Sequence, residues 1–406
     1  MKHYSGKNPN ASPIFKMKYS ISLSYFFLSI VFVSIFLHAC STDLVSINDN
    51  AIEPTETIKI AVLAPFGAKE KKLSHIGKSL RDAALLAKQD LGSLNLQIII
   101  YDTKGRVDSG LDSAYSAING GAHLIVGPFL PDVVKAISTT TKSEGIKIVS
   151  FASDLELAGN NTFIIGDTPV NRTQKLVKYA LEKEKYRFGI ISSLESSNSE
   201  LEKSIRSTIK RNGGIETFNV HYSGNMNSLS DIAEEVRKRA VSTPIDAIII
   251  PGGPNREISL LAAELSDITN STGNGKIQII GLSRWDLATT LLSEPSLQGS
   301  WLAIPDTRFR KIYEEKFIKK FGYRPHLLSS LAYDAIAAIG VLVRRRDVHR
   351  TYYPFSTSEI LNSNGFIGID GIFRFKSDRT VEKALAVMEI RNGQSNILKP
   401  ALNKFH

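Results

Sequence analysis

The chain has 406 residues, a formal net charge of +10 and 42% hydrophobic residues, enough to form the cores of two domains. It holds a single cysteine, Cys40, which excludes an intrachain disulfide and a cysteine metal site. The basic excess is dispersed, with no lysine–arginine block interleaved with aromatics of the kind that tracks nucleic acid, and the densest cluster, Arg344-Arg345-Arg346, ends a helix-like stretch where cations complement the helix dipole.

Residues 1–40 carry Lys2, Lys7, Lys16 and Lys18 and no acid, and 19–37 is an uncharged run dominated by Phe, Ile, Val and Leu. A basic flank followed by an apolar run is the layout of a secretory signal. The run also has the length of a membrane span, which makes a plain membrane anchor the competing reading. Its end, Leu37-His38-Ala39-Cys40, resembles the lipobox of bacterial lipoproteins. That resemblance implies a diacylglycerol on the Cys40 thiol, cleavage before Cys40, and acyl chains such as palmitate that keep the protein on a membrane. Ser41, where inner-membrane retention would place an aspartate, implies the outer membrane by the same resemblance. Met17-Lys18 would make a conventional start. Loss of 1–40 with its four lysines leaves a net charge of +6. Residues 41–56 (STDLVSINDNAIEPTE) are polar and aperiodic and read as a tether.

From 57 onward, short apolar runs alternate with amphipathic stretches. The spacing predicts strands at 58–64, 96–101, 124–126 and 146–150, with helices at 77–90, 109–117 and 132–144. The pattern then repeats: helices at 173–182, 201–211, 230–240 and 258–267, and strands at 188–192, 215–222, 247–250 and 277–281. Asn212-Gly213-Gly214 closes the second of these helices. A strand at 301–304, helices at 309–321 and 329–344, a hairpin over 366–375 and a strand at 384–390 with an Asn392-Gly393 turn complete the chain. Strand–helix alternation in two runs predicts an α/β protein of two doubly wound parallel-sheet lobes.

Chemistry-bearing motifs are missing. The eight histidines are never three or four residues apart, so no helical metal pair exists. There is no nucleophile elbow and no phosphate loop. Asp102 ends a strand and, beside a glycine turn, reads as a turn residue. The expectation is a non-enzymatic protein with no cofactor and no metal.

Five segments in order, "KIAVLAPFG", "GKSLRDAALLAKQD", "IIIYDTKG", "GAHLIVGP" and "IKIVSFAS", resemble the type I periplasmic-binding, or leucine-binding, family. Three later ones, "EPSLQGSWLAIPDTRFRKIYEEKFIKKFGYRP", "SLAYDAIAAIG" and "GFIGIDGIFRFKSDRT", are similar to its penicillin-binding-protein activator branch. The resemblance spans about 57–400. It implies two lobes joined by a hinge of three crossings, one lobe holding 57–167 plus 303–345 and the other 168–302 plus 346–406. Ligands of open parallel sheets sit outside the strands' carboxyl ends, which the resemblance turns toward an inter-lobe cleft. The cleft candidates are Phe66, Phe129, Leu130, Ser150, Ala152, Ser153, Asp154 and Asp167 on one side, and Ser193, Gly252, Gly253, Ser283, Arg284 and Trp285 on the other.

Set against that family's amino-acid pocket, three parts are absent or reversed. Leu130-Pro131 stands where a serine pair would hold a carboxylate, and proline lacks an N–H donor. Asp154 falls near a threonine position, where it would repel a carboxylate. Ser283 or Arg284 falls where an acid would hold an ammonium. Free leucine-type amino acids are therefore disfavoured, and Arg284 with Trp285 would suit an anionic or sugar-like ligand, unless the tryptophan packs in the core. Asp334 reads as structural. The leading reading is a lipid-anchored periplasmic regulator of peptidoglycan synthesis, with a penicillin-binding protein as partner and a small-molecule or peptidoglycan-derived ligand. The alternative is the substrate-binding component of an ABC importer, with an ABC permease as partner. Nucleic acid is not expected in either.

Overall fold

The computed structural model describes residues 51–53, 56–196, 199–269, 276–306, 308–344 and 352–405. The expected signal with Cys40, most of the tether, Arg345 and Arg346 lie outside the described residues. Among the described residues no helix is long and apolar enough to cross a membrane.

The first lobe is built on five parallel strands in the order β2-β1-β3-β4-β5: β1 (Ile58–Ala64), β2 (Leu96–Asp102), β3 (Leu124–Val126), β4 (Lys147–Ser150) and β5 (Thr162–Ile164). A strand covered on both faces must be apolar on both, and β1 shows the consequence. Ile58, Ile60, Val62 and Ala64 enter one core, while Ala61 and Leu63 enter the other. Helix α1 (Lys71–Asp90) packs on the first face, and α2 (Val107–Asn119) and α3 (Pro131–Ser143) pack on the second.

The second lobe repeats this design. Its strands β6 (Arg187–Ser193), β7 (Ile215–Tyr222), β8 (Ala247–Ile250), β9 (Gln278–Gly281) and β10 (Trp301–Pro305) lie in the order β7-β6-β8-β9-β10, all parallel. Helices α4 (Pro169–Glu182) and α5 (Glu200–Arg211) cover one face, and α6 (Met226–Ser242) and α7 (Arg256–Glu264) cover the other. The capping side chains agree with the boundaries: Ser199, Asn225 and Asn255 each accept the N–H three residues on, at the starts of α5, α6 and α7.

The chain then returns to the first lobe. Helices α8 (Arg310–Phe321) and α9 (Ser329–Arg344) join α1 on its face, as does a three-stranded antiparallel sheet of β11 (Phe366–Gly368), β12 (Gly371–Phe375) and β13 (Val381–Lys383). Phe366, Phe373, Phe375 and Val381 belong to the α1–α9 core. This corrects the expected assignment of 346–406 to the second lobe, because 352–383 packs with the first. It also moves Ala303–Pro305, the end of a β10 that pairs with β9 and β14, into the second sheet. Only β14 (Leu385–Arg391) and β15 (Gln394–Lys399) extend that sheet, as an antiparallel edge beyond β10. The chain passes between lobes near 165–168, after Pro305, and near 383–385. The predicted 258–267 helix is shorter, with α7 ending at Glu264.

Candidate functional site

In both lobes β1 or β6 sits between its neighbours, so the strand order reverses there, and ligands of open parallel sheets gather in the crevice at such a point. On the first lobe, Phe66 follows β1. It is half-buried, with the Arg81 guanidinium 5.2 Å from its ring centre. The next residue, Gly67, donates its N–H to Asp102 Oδ1 at 3.0 Å, and Lys104 N–H joins the same oxygen at 2.9 Å. Asp102 thus fixes the turn. Phe129 and Leu130, after β3, turn into the two first-lobe cores.

Ser150 ends β4 and is fully buried. Its hydroxyl donates to the Pro128 carbonyl at 3.0 Å and accepts the Ala152 N–H at 3.0 Å. It braces two neighbouring strand-end loops and does not present a free hydroxyl to the cleft. Ala152 is buried behind it, while Ser153 is exposed. Asp154 opens a short 3₁₀ turn, Leu155–Leu157, by accepting the Glu156 N–H at 3.0 Å. Asp167, at the first crossing, forms an ion pair with Arg172 of α4.

On the second lobe, the Ser193 and Ser196 hydroxyls lie 3.0 Å apart. Gly253 is exposed, and Gly252 offers its carbonyl to the Trp285 indole N–H at 3.0 Å. Trp285 is 0% exposed and lies in the α6–α7 core. Arg284 forks onto Asp286 at 2.8 and 2.7 Å. Burial works against its charge, but Asp286, with Asp370 and Asp167 further off, outweighs that and holds the guanidinium above its usual range. The expectation that Arg284 and Trp285 reach for an anionic ligand is corrected accordingly. A carboxylate two residues on takes the arginine fork, and the indole closes the β8 loop from inside the core. Ser283 is half-buried in the same loop.

Of these candidates, Ser153 and Asp154 line a cavity of about 370 Å³ with walls from both lobes. Leu155 and Glu156 complete the first-lobe wall; Thr168, Pro169 and Val170 come from the start of α4; Glu200, Leu201 and Ser204 come from the first turn of α5. Its charged lining is entirely carboxylate: Asp154, Glu156 and Glu200. Lys203 answers Glu200 at 2.6 Å on the solvent side. Glu202, one turn inside, receives His221 at 2.8 Å together with Asn219, which ties α5 to β7 and sets the wall in place. A larger cavity of about 520 Å³ lies between α3 and residues 154–162. It is walled by the first lobe alone, so the inter-lobe cavity is the better candidate for a ligand. Sequence inspection of strand-end loops could not find Glu156 and Glu200, which stand in helical first turns; the Ser199-x-x-Glu202 capping pattern was the available signal. Among the described residues no cluster of histidines and carboxylates could hold a metal.

Neither a protein-family model nor a curated protein matches the sequence. Solved structures do. An ABC transporter substrate-binding protein from Desulfitobacterium hafniense in complex with Leu is 16% identical with a TM-score of 0.60, covering 84% of this chain and 100% of its own. A branched-chain amino acid ABC transporter periplasmic ligand-binding protein from Burkholderia xenovorans is 12% identical with a TM-score of 0.62, covering 86% and 95%. A solute-binding protein of an ABC transporter from Rhodopseudomonas palustris, in complex with 3,4-dihydroxybenzoic acid, is 14% identical with a TM-score of 0.54, covering 86% and 97%. At these identities the likeness establishes the fold, two lobes of one parallel α/β design.

Proposed function

We propose that this chain, which has the type I periplasmic-binding fold, is a non-enzymatic solute-binding protein that serves an ABC importer. The observation that carries this reading is the 370 Å³ cavity with walls from both lobes, in a fold whose similar structures are named as transporter binding proteins. The importer reading takes precedence over regulation of peptidoglycan synthesis, which rests on segment resemblance alone. None of the three neighbours named above is described in terms of the cell wall or a penicillin-binding protein.

The lining narrows the solute. Leucine and dihydroxybenzoic acid each carry a carboxylate, whereas this cavity presents Asp154, Glu156 and Glu200 and no cation among its lining. Three carboxylates around one cavity repel a fourth, the more so as a bound solute displaces water, so the fitting solute carries an amine, lacks a free carboxylate, and covers Leu155, Val170 and Leu201 with an apolar part. Leucinamide and leucine form a test pair. Leucinamide is expected to raise the unfolding temperature and leucine to leave it unchanged, and Asp154→Asn with Glu156→Gln is expected to weaken leucinamide binding about tenfold, about 1.4 kcal/mol. Equal stabilisation by leucine would sink the amine assignment. Silence across amines, amino acids and aromatic acids would sink the importer reading itself.

Cys40 as the lipid-bearing residue belongs to the same proposal and rests on the sequence. Acyl chains there would hold the lobes at a membrane face outside the cytoplasm. Cys40→Ser is expected to shift the protein from the membrane fraction and to leave the signal uncut. Unchanged processing and membrane retention would exclude acylation at this position.

A further inference from the structure

We propose a second binding site, for a phosphate-class dianion, at the third crossing between the lobes. A cavity of about 170 Å³ there is walled by α4, by the last residues of β13 and by β15. It shares no lining residue with the inter-lobe cavity. Lys175 and Lys178 enter it from α4, three positions apart and therefore on one helix face, Lys383 from the end of β13, and Lys399 from β15. Two carboxylates also line it, and both are engaged: Glu182 with Lys399 at 2.5 Å, and Glu382 with Arg374 at 2.8 Å. Lys175, Lys178 and Lys383 make no ion pair or hydrogen bond among the described residues.

The ammonium groups of Lys175, Lys178 and Lys399 crowd one small space and repel one another, more so as water is excluded, while Lys383 on the opposite wall is drawn toward the Asp334 carboxylate. Lys175 shows the effect, since burial, then Lys399 and Lys178, hold it below the usual lysine range in spite of Glu182. A bound dianion would relieve that repulsion. Asn171, one turn before Lys175, donates its amide N–H to the Val381 carbonyl at 3.0 Å and so pins α4 of the second lobe to β13 of the first. Across the same joint, the Phe405 ring lies 4.4 Å from the Arg374 guanidinium carbon. An anion here would bridge both lobes at their hinge, away from the cleft, and would stiffen the joint.

The chemistry required is a phosphate group, free or as a lipid headgroup. The test is inorganic phosphate added to the full chain at constant ionic strength, with chloride as control. Tenfold excess over Kd is expected to raise the unfolding temperature by about 2–3 °C. The Lys175→Gln/Lys383→Gln double variant is expected to lose that shift while unfolding in chloride within a few degrees of wild type. A shift of the same size in chloride, or one that survives in the double variant, would overturn the site, as would no shift in wild type together with equal binding of both proteins to phosphatidylglycerol vesicles. Vesicle binding that the double variant loses assigns the headgroup as the source; a phosphate shift without it assigns the free anion.

Discussion

Trp285→Ala is expected to destabilise the protein by about 3–5 kcal/mol, the range for removing a large buried aromatic, and to leave solute affinity of the folded fraction unchanged. The ring is wholly buried in the α6–α7 core, packs against Gly281 so closely that a Cβ there would sit 2.7 Å from it, and donates its N–H to the Gly252 carbonyl. The substitution opens a void and strips that carbonyl of its partner, adding a polar penalty to the cavity term. Urea unfolding of the variant and titration of its folded form with leucinamide separate the two possibilities. A variant of normal stability that no longer binds would return Trp285 to the cleft.

The second large effect is at Asp334, which is 3% exposed in α9 and accepts the Ile369 N–H at 2.6 Å beneath the β11–β12 turn. Burial, then the Asp370 carboxylate, raises its carboxyl to about 7, against the pull of the Ile369 N–H, Lys383 and Arg310. Asp370 itself is held by Arg310 and by the Ser330 hydroxyl at 2.7 Å. An unfolded aspartate titrates near 4, roughly three units lower. Between those values the folded state binds more protons than the unfolded one, so the stability this group contributes is complete below about pH 4 and is lost as pH rises through 7. Asp334→Asn keeps a carbonyl for the Ile369 N–H and cannot ionise. Its advantage over wild type is expected to be about 2–3 kcal/mol larger at pH 8 than at pH 5. Unfolding curves at the two pH values check this; a gap that does not widen with pH would show that Asp334 is not charged by burial in that way.

Strands with a both-faces apolar signature were fully legible. Residues 58–64, 124–126 and 247–250 form strands with the boundaries expected from their runs, because burial on both sides leaves little room for polar residues; 215–222, an edge strand, keeps its expected bounds through an alternation of polar and apolar residues. β5 and β13, each three residues long, carry too little pattern to be seen, and β15 is mostly exposed along its length. The alternation of Phe366, Phe373 and Phe375 announced a hairpin but not its location, since a hairpin's apolar face fits any core with a free flank; here α9 supplies it through Asp334. Of the loops singled out from the sequence, the one holding Ser153 and Asp154 lines the inter-lobe cavity, whereas the rest of its lining comes from 155–156 and the starts of α4 and α5. Ser150, Arg284 and Trp285 are chemically suited to a ligand, yet Pro128, Asp286 and Gly252 claim their polar atoms first. The Ser150–Pro128 and Trp285–Gly252 pairings join different loops and depend on strand order, which periodicity does not encode.

The return of 308–344 and 352–383 to the first lobe has a consequence for how the protein is made. The α1 face is closed by α9, which is separated from it in the chain by the whole second lobe, and the second sheet is finished by β14 and β15 near the C terminus. Neither half can complete its interior while the ribosome still holds the tail. Long-range contacts of this kind slow folding, so a nascent chain remains open for most of its synthesis, the condition in which a polypeptide can be threaded through a narrow export channel. Truncation before Ser329, which removes α9 along with β14 and β15, would cost both halves their order together, where a bead-on-a-string arrangement would lose only one.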